Sequence, residues 1–357
     1  MSSFWLAFHR GNSQGGTCQW AGCWQVLEVL KSGGWRSTVR VVFMGTPEFA
    51  VTPLERLVDN EYQVAAVYTQ PDRAAGRGRS LVAPPLKKAA LVRGLPVVQP
   101  ASMKRGPVAE ELAGLQPDVI VVAAFGQILP RPVLDIPPLG CVNIHPSLLP
   151  RYRGTAPVPG AILNGDTFTG VSIMLMDPGM DTGPVLSRAQ IPIAPADTAG
   201  SLMSKLSLVG AQTLLDVLPR LARHEIVPQP QDEAGATYTS LISKDAGGID
   251  WKLPAVDIVR RVRAFHPWPG CYTTWQGRQL KVIEAVPLGT EVTSPEQDSQ
   301  EAGRVVALKG RAAAFGVITG DGILGVVRVQ MEGKRAMSAT EFLHGQRDFI
   351  GAVLPSA

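Results

Sequence analysis

Residues 141–154, CVNIHPSLLPRYRG, begin as an apolar strand and end as a loop punctuated by prolines. Side chains on a strand point to alternate faces, so Asn143 and His145 face the same way. Pro146 has no N–H to donate and cannot continue a paired strand. The sequence therefore predicts that both polar side chains lie at the end of a strand. Ligands bind at that edge in open α/β sheets.

On both sides of this stretch, short apolar runs alternate with helical patterns. Apolar runs of this length are typical of strands buried on both faces, and the alternation predicts a mainly parallel, Rossmann-like α/β sheet. The run at 199–224 has apolar residues at helical spacing and predicts a long helix that closes this domain. The expected strands are VRVVFM (39–44), VAAVYT (64–69), PVVQ (96–99), PDVIVVAA (117–124), CVNIH (141–145) and GVSIMLMD (170–177).

The composition is that of a globular protein. With 357 residues, 45% apolar and 18% charged, the chain is expected to form two domains and is not disordered. No apolar run approaches the ~20 residues of a membrane span, and the start lacks the pattern of a secretory signal, so we expect a cytoplasmic protein. The four cysteines are scattered, which predicts neither a metal site nor a disulfide framework.

Changes in composition and patterning along the chain predict its domain boundaries. Residues 1–38 hold four of the seven tryptophans and differ in composition from the rest of the chain, so we interpret them as an extension without function, with a small docking segment as the alternative. Residues 39–224 are the expected catalytic domain. Residues 225–243 are rich in Pro, Gln and Ala and are expected to be a linker. In residues 244–357, short alternating segments with glycine turns predict a small, OB-like β-barrel.

A second candidate group is MDPGMDTGPV, residues 176–185, in which Asp181 lies between two glycines. If the preceding strand is parallel to the others, Asp181 reaches the same edge as His145, where a carboxylate can orient the imidazole and favour its charged form. A turn aspartate that caps its own backbone is the alternative. The sequence has neither a Gly-x-Ser-x-Gly elbow nor a Walker lysine, so covalent acyl transfer and ATP binding have little support.

The positive charges form local clusters and not a general basic surface. The formal net charge is only +4. The loop TQPDRAAGRG, residues 69–78, is basic and too long for a simple connection, which is typical of a lid or binding loop. Arg260, Arg261 and Arg263 form another cluster on a predicted helix. Any nucleic acid must be held by such clusters, and a solvated surface is the alternative interpretation.

Four segments, FMGTPEFA (43–50), TQPDRAAGRG, NIHPSLLPRYRG and MDPGMDTG, occur in this order. Together they resemble the methionyl-tRNA formyltransferases, from about residue 39 to the C-terminus. The resemblance implies a domain that binds 10-formyltetrahydrofolate and transfers its formyl group to the α-amine of methionine on initiator tRNA, without a metal. It implies a C-terminal barrel that helps to hold the tRNA. We expect a monomer whose partners are this tRNA and folate, with neither DNA nor a membrane among them.

The same resemblance assigns roles to individual residues. The family's catalytic Asn, His and Asp fall on Asn143, His145 and Asp181. Its folate-binding segment falls on Ser147, Leu148, Leu149 and Pro150. The arginine of its substrate-discriminating loop falls on Arg77, and we expect the helix arginines to join it. The predicted tRNA contacts are thus Arg77, Arg260, Arg261 and Arg263.

Two rival functions stay open, and the chain departs from the family pattern at one place. Pro159 and Gly160 stand where family members carry a Gln and a bulky residue after a helix start. A formyltransferase for a nucleotide-sugar amine or another small amine would use the same catalytic trio. A non-catalytic RNA-binding protein on a degenerate enzyme fold would not need that trio, whose presence argues against it.

Overall fold

The computed structural model describes residues 39–75, 80–104, 106–289, 301–308, 313–346 and 348–357. The expected N-terminal extension, residues 1–38, and Arg77 lie outside these described residues. The strands up to residue 243 are β1 (Arg40–Gly45), β2 (Gln63–Tyr68), β3 (Arg73–Ala75), β4 (Ser80–Val82), β5 (Val97–Val98), β6 (Val119–Ala123), β7 (Cys141–His145), β8 (Arg153–Gly154), β9 (Phe168–Leu175), β10 (Val185–Pro192) and β11 (Tyr238–Thr239).

The main sheet has the strand order β10-β9-β7-β6-β1-β2-β5. Its centre is parallel, with β1 between β2 and β6, and β7 beside β6. The residues of β6 and β7 are all buried, as continuous apolar runs require when helices cover both faces of a sheet. The predicted Rossmann-like, mainly parallel sheet is confirmed. The strands that follow β1 in the chain are placed first on one side of it, as far as β5, and then on its other side, beginning with β6. Such sheets bind ligands at the carboxyl ends of the two strands where this change occurs, here β1 and β6.

The expected parallel direction of GVSIMLMD is wrong. Strand β9 runs antiparallel to β7, with His145 opposite Ser172, and β10 returns antiparallel to β9. Residues 146–167 return the chain to the sheet beside the carboxyl end of β7, so β9 starts there and runs back along β7. Residues 176–184 then suffice for a hairpin to β10 but not for a parallel crossover. Strand β10 was not predicted, because its half-exposed alternation is that of an edge strand and not of an apolar run.

Helices cover the sheet on both faces. The longest, predicted at 199–224, begins with a capping box between Thr198 and Ser201 and buries Leu202, Leu206 and Leu214 as expected. The helices of this half are α1 (Val51–Asp59), α2 (Pro85–Val92), α3 (Val108–Gly114), α4 (Arg131–Leu134), α5 (Pro157–Leu163) and α6 (Ala199–Ala222).

Pro159 and Gly160 do not prevent a helix in α5. The helix begins at Pro157, where the missing N–H is unpaired in any helix. Gly160 lies where a Cβ would be 2.9 Å from Thr239 Cγ2 and 3.1 Å from Tyr152 Cδ1. The glycine thus lets two neighbouring segments approach the helix closely.

The C-terminal part is a curled antiparallel sheet with the order β12-β13-β16-β15-β14, and β17 pairs with β16. It confirms the predicted β-barrel appendage. Trp275, Phe315, Phe342 and Phe349 meet edge to face or tilted in its core. Its elements are α7 (Ala255–Ala264), β12 (Cys271–Trp275), β13 (Arg278–Leu288), β14 (Val305–Ala307), β15 (Phe315–Ile318), β16 (Ile323–Met331), β17 (Met337–Ser338) and α8 (Ala339–His344).

The segment 225–243, expected to be a linker, lies against the first half of the chain. Its strand β11 pairs in parallel with β8, joining Tyr238 to Arg153 and Thr239 to Gly154. Gly154 has φ +102 and lies directly against the Thr239 carbonyl, so this position needs a glycine. No helix within the described ranges is long and apolar enough to cross a membrane.

Candidate active site

Asn143 and His145 lie on one face of β7, as alternation predicts. Their exposed fractions are 9% and 4%, whereas Ile144 between them packs into the core on the other face. Buried polar side chains require partners, because an unpaired one costs roughly 1–3 kcal/mol. Those partners come from two loops, residues 146–154 and 176–184.

Asp181 provides the first partner. Its Oδ1 lies 3.4 Å from Asn143 Nδ2 and 3.7 Å from His145 Nδ1, and its Oδ2 accepts from the Gly154 N–H at 2.8 Å. Asp181 reaches them in the hairpin loop between β9 and β10, and not at the end of a parallel strand. Its φ is +55, a left-handed conformation that a non-glycine residue keeps only when its surroundings hold it.

The Tyr152 carbonyl provides the second partner, 2.9 Å from His145 Nε2. A carbonyl oxygen only accepts, so this contact requires a hydrogen on Nε2 and leaves Nδ1 facing the carboxylate of Asp181. Tyr152 is also left-handed, with φ +60. The arrangement thus holds an imidazole between a fixed acceptor and a carboxylate. An amide N–H lies beside it, and together they can stabilise an oxyanion and move a proton.

The four residues of the expected folate segment have unequal exposure. Ser147 and Leu149 are buried, and their polar groups are bonded within the protein: Ser147 Oγ donates to the Arg151 carbonyl, and the Leu149 N–H donates to Ser172 Oγ. Leu148 and Pro150 are half-buried. Surface for a ligand is therefore left at Leu148 and Pro150, while the other two shape the loop.

A cavity of ≈ 460 Å³ lies at the carboxyl ends of β1 and β6, one strand away from β7. This size is within the range of small-molecule sites. Gln70 fixes one wall by donating to the carbonyls of Phe125 and Gly126. Behind it, hydrogen bonds from Lys87 and Gln99 hold the pKa of the Asp72 carboxyl below its usual value. The lining includes Thr46, Gln70, Arg73, Val82 and Phe125.

The three helix arginines all make contacts within the protein. Arg260 pairs with Asp257 at 2.9 Å, and its guanidinium lies over Gly165. Arg261 donates to the Ala246 carbonyl at 2.7 Å. Arg263 donates to the carbonyls of Asp197 and Ala194, and desolvation by burial lowers its pKa. The cluster therefore connects α7 to neighbouring segments, including two of the first domain.

Sequence reasoning missed several residues around the trio. Arg153 is fully buried, and Gln231, Glu233 and Thr237 reach across from the segment expected to be a linker. Their stretch QDEAGAT is polar and without strand or helix periodicity. Its density of hydrogen-bonding side chains was the available signal. Among the described residues, no group of three or more His, Cys, Asp or Glu side chains could hold a metal ion.

Comparison with known proteins gives a consistent result. A family model described as formyl transferase matches residues 39–218, and one described as its C-terminal domain matches 241–347. The methionyl-tRNA formyltransferase of Dehalococcoides mccartyi is 50% identical over 318 residues, 88% of this chain and 98% of the relative. That of Roseiflexus castenholzii is 50% identical over 311 residues, covering 87% and 97%.

A solved structure has the same fold at low identity. HypX from Aquifex aeolicus in complex with tetrahydrofolic acid has a TM-score of 0.60 and 18% identity. The match covers 88% of this chain and 48% of that chain, so this chain spans about half the length of HypX.

Proposed function

This chain belongs to the methionyl-tRNA formyltransferase family, and we propose that it transfers the formyl group of 10-formyltetrahydrofolate to the α-amino group of methionine on initiator tRNA. One observation carries the proposal. In a chain half identical to such enzymes over nearly their whole length, Asn143, His145 and Asp181 converge at the carboxyl edge of β7.

The chemistry assigned to these residues follows from their geometry. The amine nitrogen bonds to the formyl carbon, the bond from that carbon to N10 of the folate breaks, and the amine proton passes to the departing nitrogen. Asn143 Nδ2 carries two hydrogens, so it can donate to Asp181 and to the formyl oxygen. We assign to His145 Nδ1 the transfer of the amine proton, and to Asp181 the positioning of the imidazole. One donor to a developing oxyanion is typically worth about 3–4 kcal/mol.

The folate is assigned to the loop after β7. Leu148 and Pro150 offer apolar surface to a flat ring system, and Ser147 and Leu149 keep that loop in shape through their buried hydrogen bonds. The cavity at the carboxyl ends of β1 and β6 is assigned to the aminoacyl end of the tRNA. Phe125 and Val82 suit an apolar side chain, and Arg73 suits a phosphate.

For the tRNA itself, the proposed contacts are Arg77, Arg260, Arg261 and Arg263. Arg77 belongs to the loop that continues from Arg73, which supports a contact near the acceptor end. The helix arginines already donate within the protein, so we assign them the smaller share of the binding free energy. The proposed division of labour gives catalysis to residues 39–224 and tRNA binding to 244–357, with 225–243 joining them. Action of a monomer in the cytoplasm, on a translation substrate, completes the proposal.

Formyl transfer to charged initiator tRNA is the direct test. Purified protein is incubated with 10-formyltetrahydrofolate and methionyl initiator tRNA, and formylmethionyl-tRNA is measured, with His145→Ala as the control for contaminating activity. We expect turnover by the wild type and at most about a hundredth of it in His145→Ala. Transfer to a nucleotide-sugar amine without transfer to the tRNA would contradict the proposal in favour of the small-amine alternative.

A further inference from the structure

Residues 229–239, called the strap here, cross the two loops that provide the partners of His145. One end is anchored by a pair of backbone hydrogen bonds between Gln229 and Val185, both 2.8 Å long. The other end is the β8–β11 pair. The strap therefore spans from the base of the hairpin that bears Asp181 to the loop that bears Tyr152.

Gln231 holds the Asp181 loop. Its Nε2 donates to the Asp181 carbonyl at 2.8 Å and to the Gly183 carbonyl at 2.7 Å. Both bonds fall on the short stretch of backbone that follows the left-handed Asp181. An amide side chain bonded to two carbonyls of one turn restricts the rotation of the backbone between them. Gln231 thereby sets the direction in which the Asp181 carboxylate points.

Thr237 holds the Tyr152 loop in a similar way. Its Oγ1 accepts from the Tyr152 N–H at 2.8 Å, and its carbonyl accepts from the Arg153 N–H at 2.8 Å. These bonds lie on either side of the left-handed Tyr152, whose carbonyl meets His145 Nε2. The strap thus holds the left-handed backbone both at Asp181 and at Tyr152.

Arg153 fastens the strap between these two contacts. Its guanidinium has no exposed surface and donates to both carboxylate oxygens of Glu233, at 2.9 and 2.7 Å. It also donates to Tyr238 Oη and Gln231 Oε1. A fully buried charge without these partners would be strongly unfavourable, so the guanidinium keeps the strap in place.

We propose that Gln231 and Thr237 are positioning residues for formyl transfer, holding Asp181 and the Tyr152 carbonyl so that His145 keeps its orientation. The inference rests on the proposed function. It concerns neither substrate binding nor contact with the reacting atoms. Misplacing a catalytic group by a fraction of its working distance slows the reaction while substrates still bind. The strap should accordingly affect kcat and not KM.

Matched substitutions in the strap test this. Gln231→Ala removes both donors to the Asp181 loop and also the Oε1 acceptor of Arg153 Nε. Gln229→Ala truncates the same type of side chain two residues away, at an exposed position bonded only to its own segment. Thr237→Val removes the hydroxyl at constant shape, and Thr237→Ser restores it. We expect Gln231→Ala and Thr237→Val to lower kcat by about ten- to a hundred-fold with KM for both substrates unchanged. Gln229→Ala and Thr237→Ser should resemble the wild type.

Imidazole ¹⁵N spectra supply a readout that a merely structural role would not change. The His145 signals, identified by their disappearance in His145→Ala, should shift in Thr237→Val and stay in place in Gln229→Ala. Equal kcat for Gln231→Ala and Gln229→Ala, or a rise in KM alone, overturns the inference. If Thr237→Val fails to fold, the comparison of kcat between Gln231→Ala and Gln229→Ala still decides. An inactive wild type would instead contradict the proposed function, which is a distinguishable result.

Discussion

The carboxyl edge of β7 and the arginine-rich face of α7 are both polar clusters, but they use their charges differently. At β7, two side chains on one face meet a carboxylate from a separate loop, and all three groups converge on one point. On α7, three arginines disperse to a carboxylate and to backbone carbonyls of different segments. A strand end aims its side chains at a common place, whereas positive charge on a helix does not indicate what that charge contacts.

Substitution at the β7 edge should have the largest effect. His145→Ala and Asn143→Ala are each expected to reduce kcat by roughly two to three orders of magnitude, since the first removes the group that moves the proton and the second removes a donor to the developing oxyanion. Circular dichroism should show an intact fold. Asn60→Ala, at an exposed residue bonded to its own helix, is the control. Near-normal turnover in either catalytic variant would remove that residue from the chemistry and weaken the contrast with α7.

Arg263→Ala tests whether an arginine of α7 stabilises the fold. It removes two hydrogen bonds from a charged donor to the carbonyls of Asp197 and Ala194, which should cost about 1–3 kcal/mol of unfolding free energy. Thermal or urea unfolding measures this. Arg335→Ala, at a mostly exposed arginine of the same half of the chain, should change stability far less. Equal stability of the two variants would mean that Arg263 does not connect the two halves.

Salt dependence of tRNA affinity then separates binding cations from structural ones. Arg77→Ala should weaken binding and reduce the slope of log K against log salt by about one for each phosphate that the variant no longer neutralises. Arg260→Ala should do so less, and Arg263→Ala least. Lysine at position 77 should restore only part of the affinity, because it lacks the planar fork of arginine. A larger reduction of slope at Arg263 than at Arg77 would reverse this assignment.

Acid titration of stability is the smallest expected effect and concerns the strap. The hydrogen bond from Arg153 lowers the pKa of Glu233 below its ordinary value of 4.5. A lowered folded pKa contributes stability above the unfolded value, and that contribution disappears as the pH falls through the folded pKa. Wild-type Tm should therefore decrease below about pH 4.5. Glu233→Gln should have a lower Tm at neutral pH and a smaller decrease on acidification. An equal decrease of Tm in both proteins on acidification would show that the Arg153–Glu233 pair contributes nothing to stability.

Sequence patterns predicted the centre of the fold because burial on both faces forces continuous apolar runs. The strand Cys141–His145 was predicted with its observed bounds, and so was the shared face of Asn143 and His145. The direction of β9 was not predictable in this way, since an apolar run looks alike in either direction. Asp181 was expected beside His145 and is found there, although by a hairpin that the prediction lacked.

The strap escaped prediction for a different physical reason. Proline, glutamine and alanine at 225–243 indicate weak local preference, which is typical of a linker. Local preference carries no information about tertiary hydrogen bonds, and these determine where the strap lies. Arg153 was missed likewise, because arginine is almost never fully buried unless it is paired, and its partner is eighty positions further along the chain.

The position of the strap has a consequence for synthesis on the ribosome. When a nascent chain has emerged from the ribosome only to Ala222, Asn143, His145 and Asp181 are already outside, but the carboxylate that neutralises Arg153 has not yet emerged. The same holds for an excised fragment ending at residue 218, where the match to the N-terminal family model ends. Such a fragment would lack the carboxylate, the amide oxygen and the hydroxyl that bond the Arg153 guanidinium. We therefore expect a self-sufficient catalytic unit to extend through Thr239, into the interval that neither family model covers.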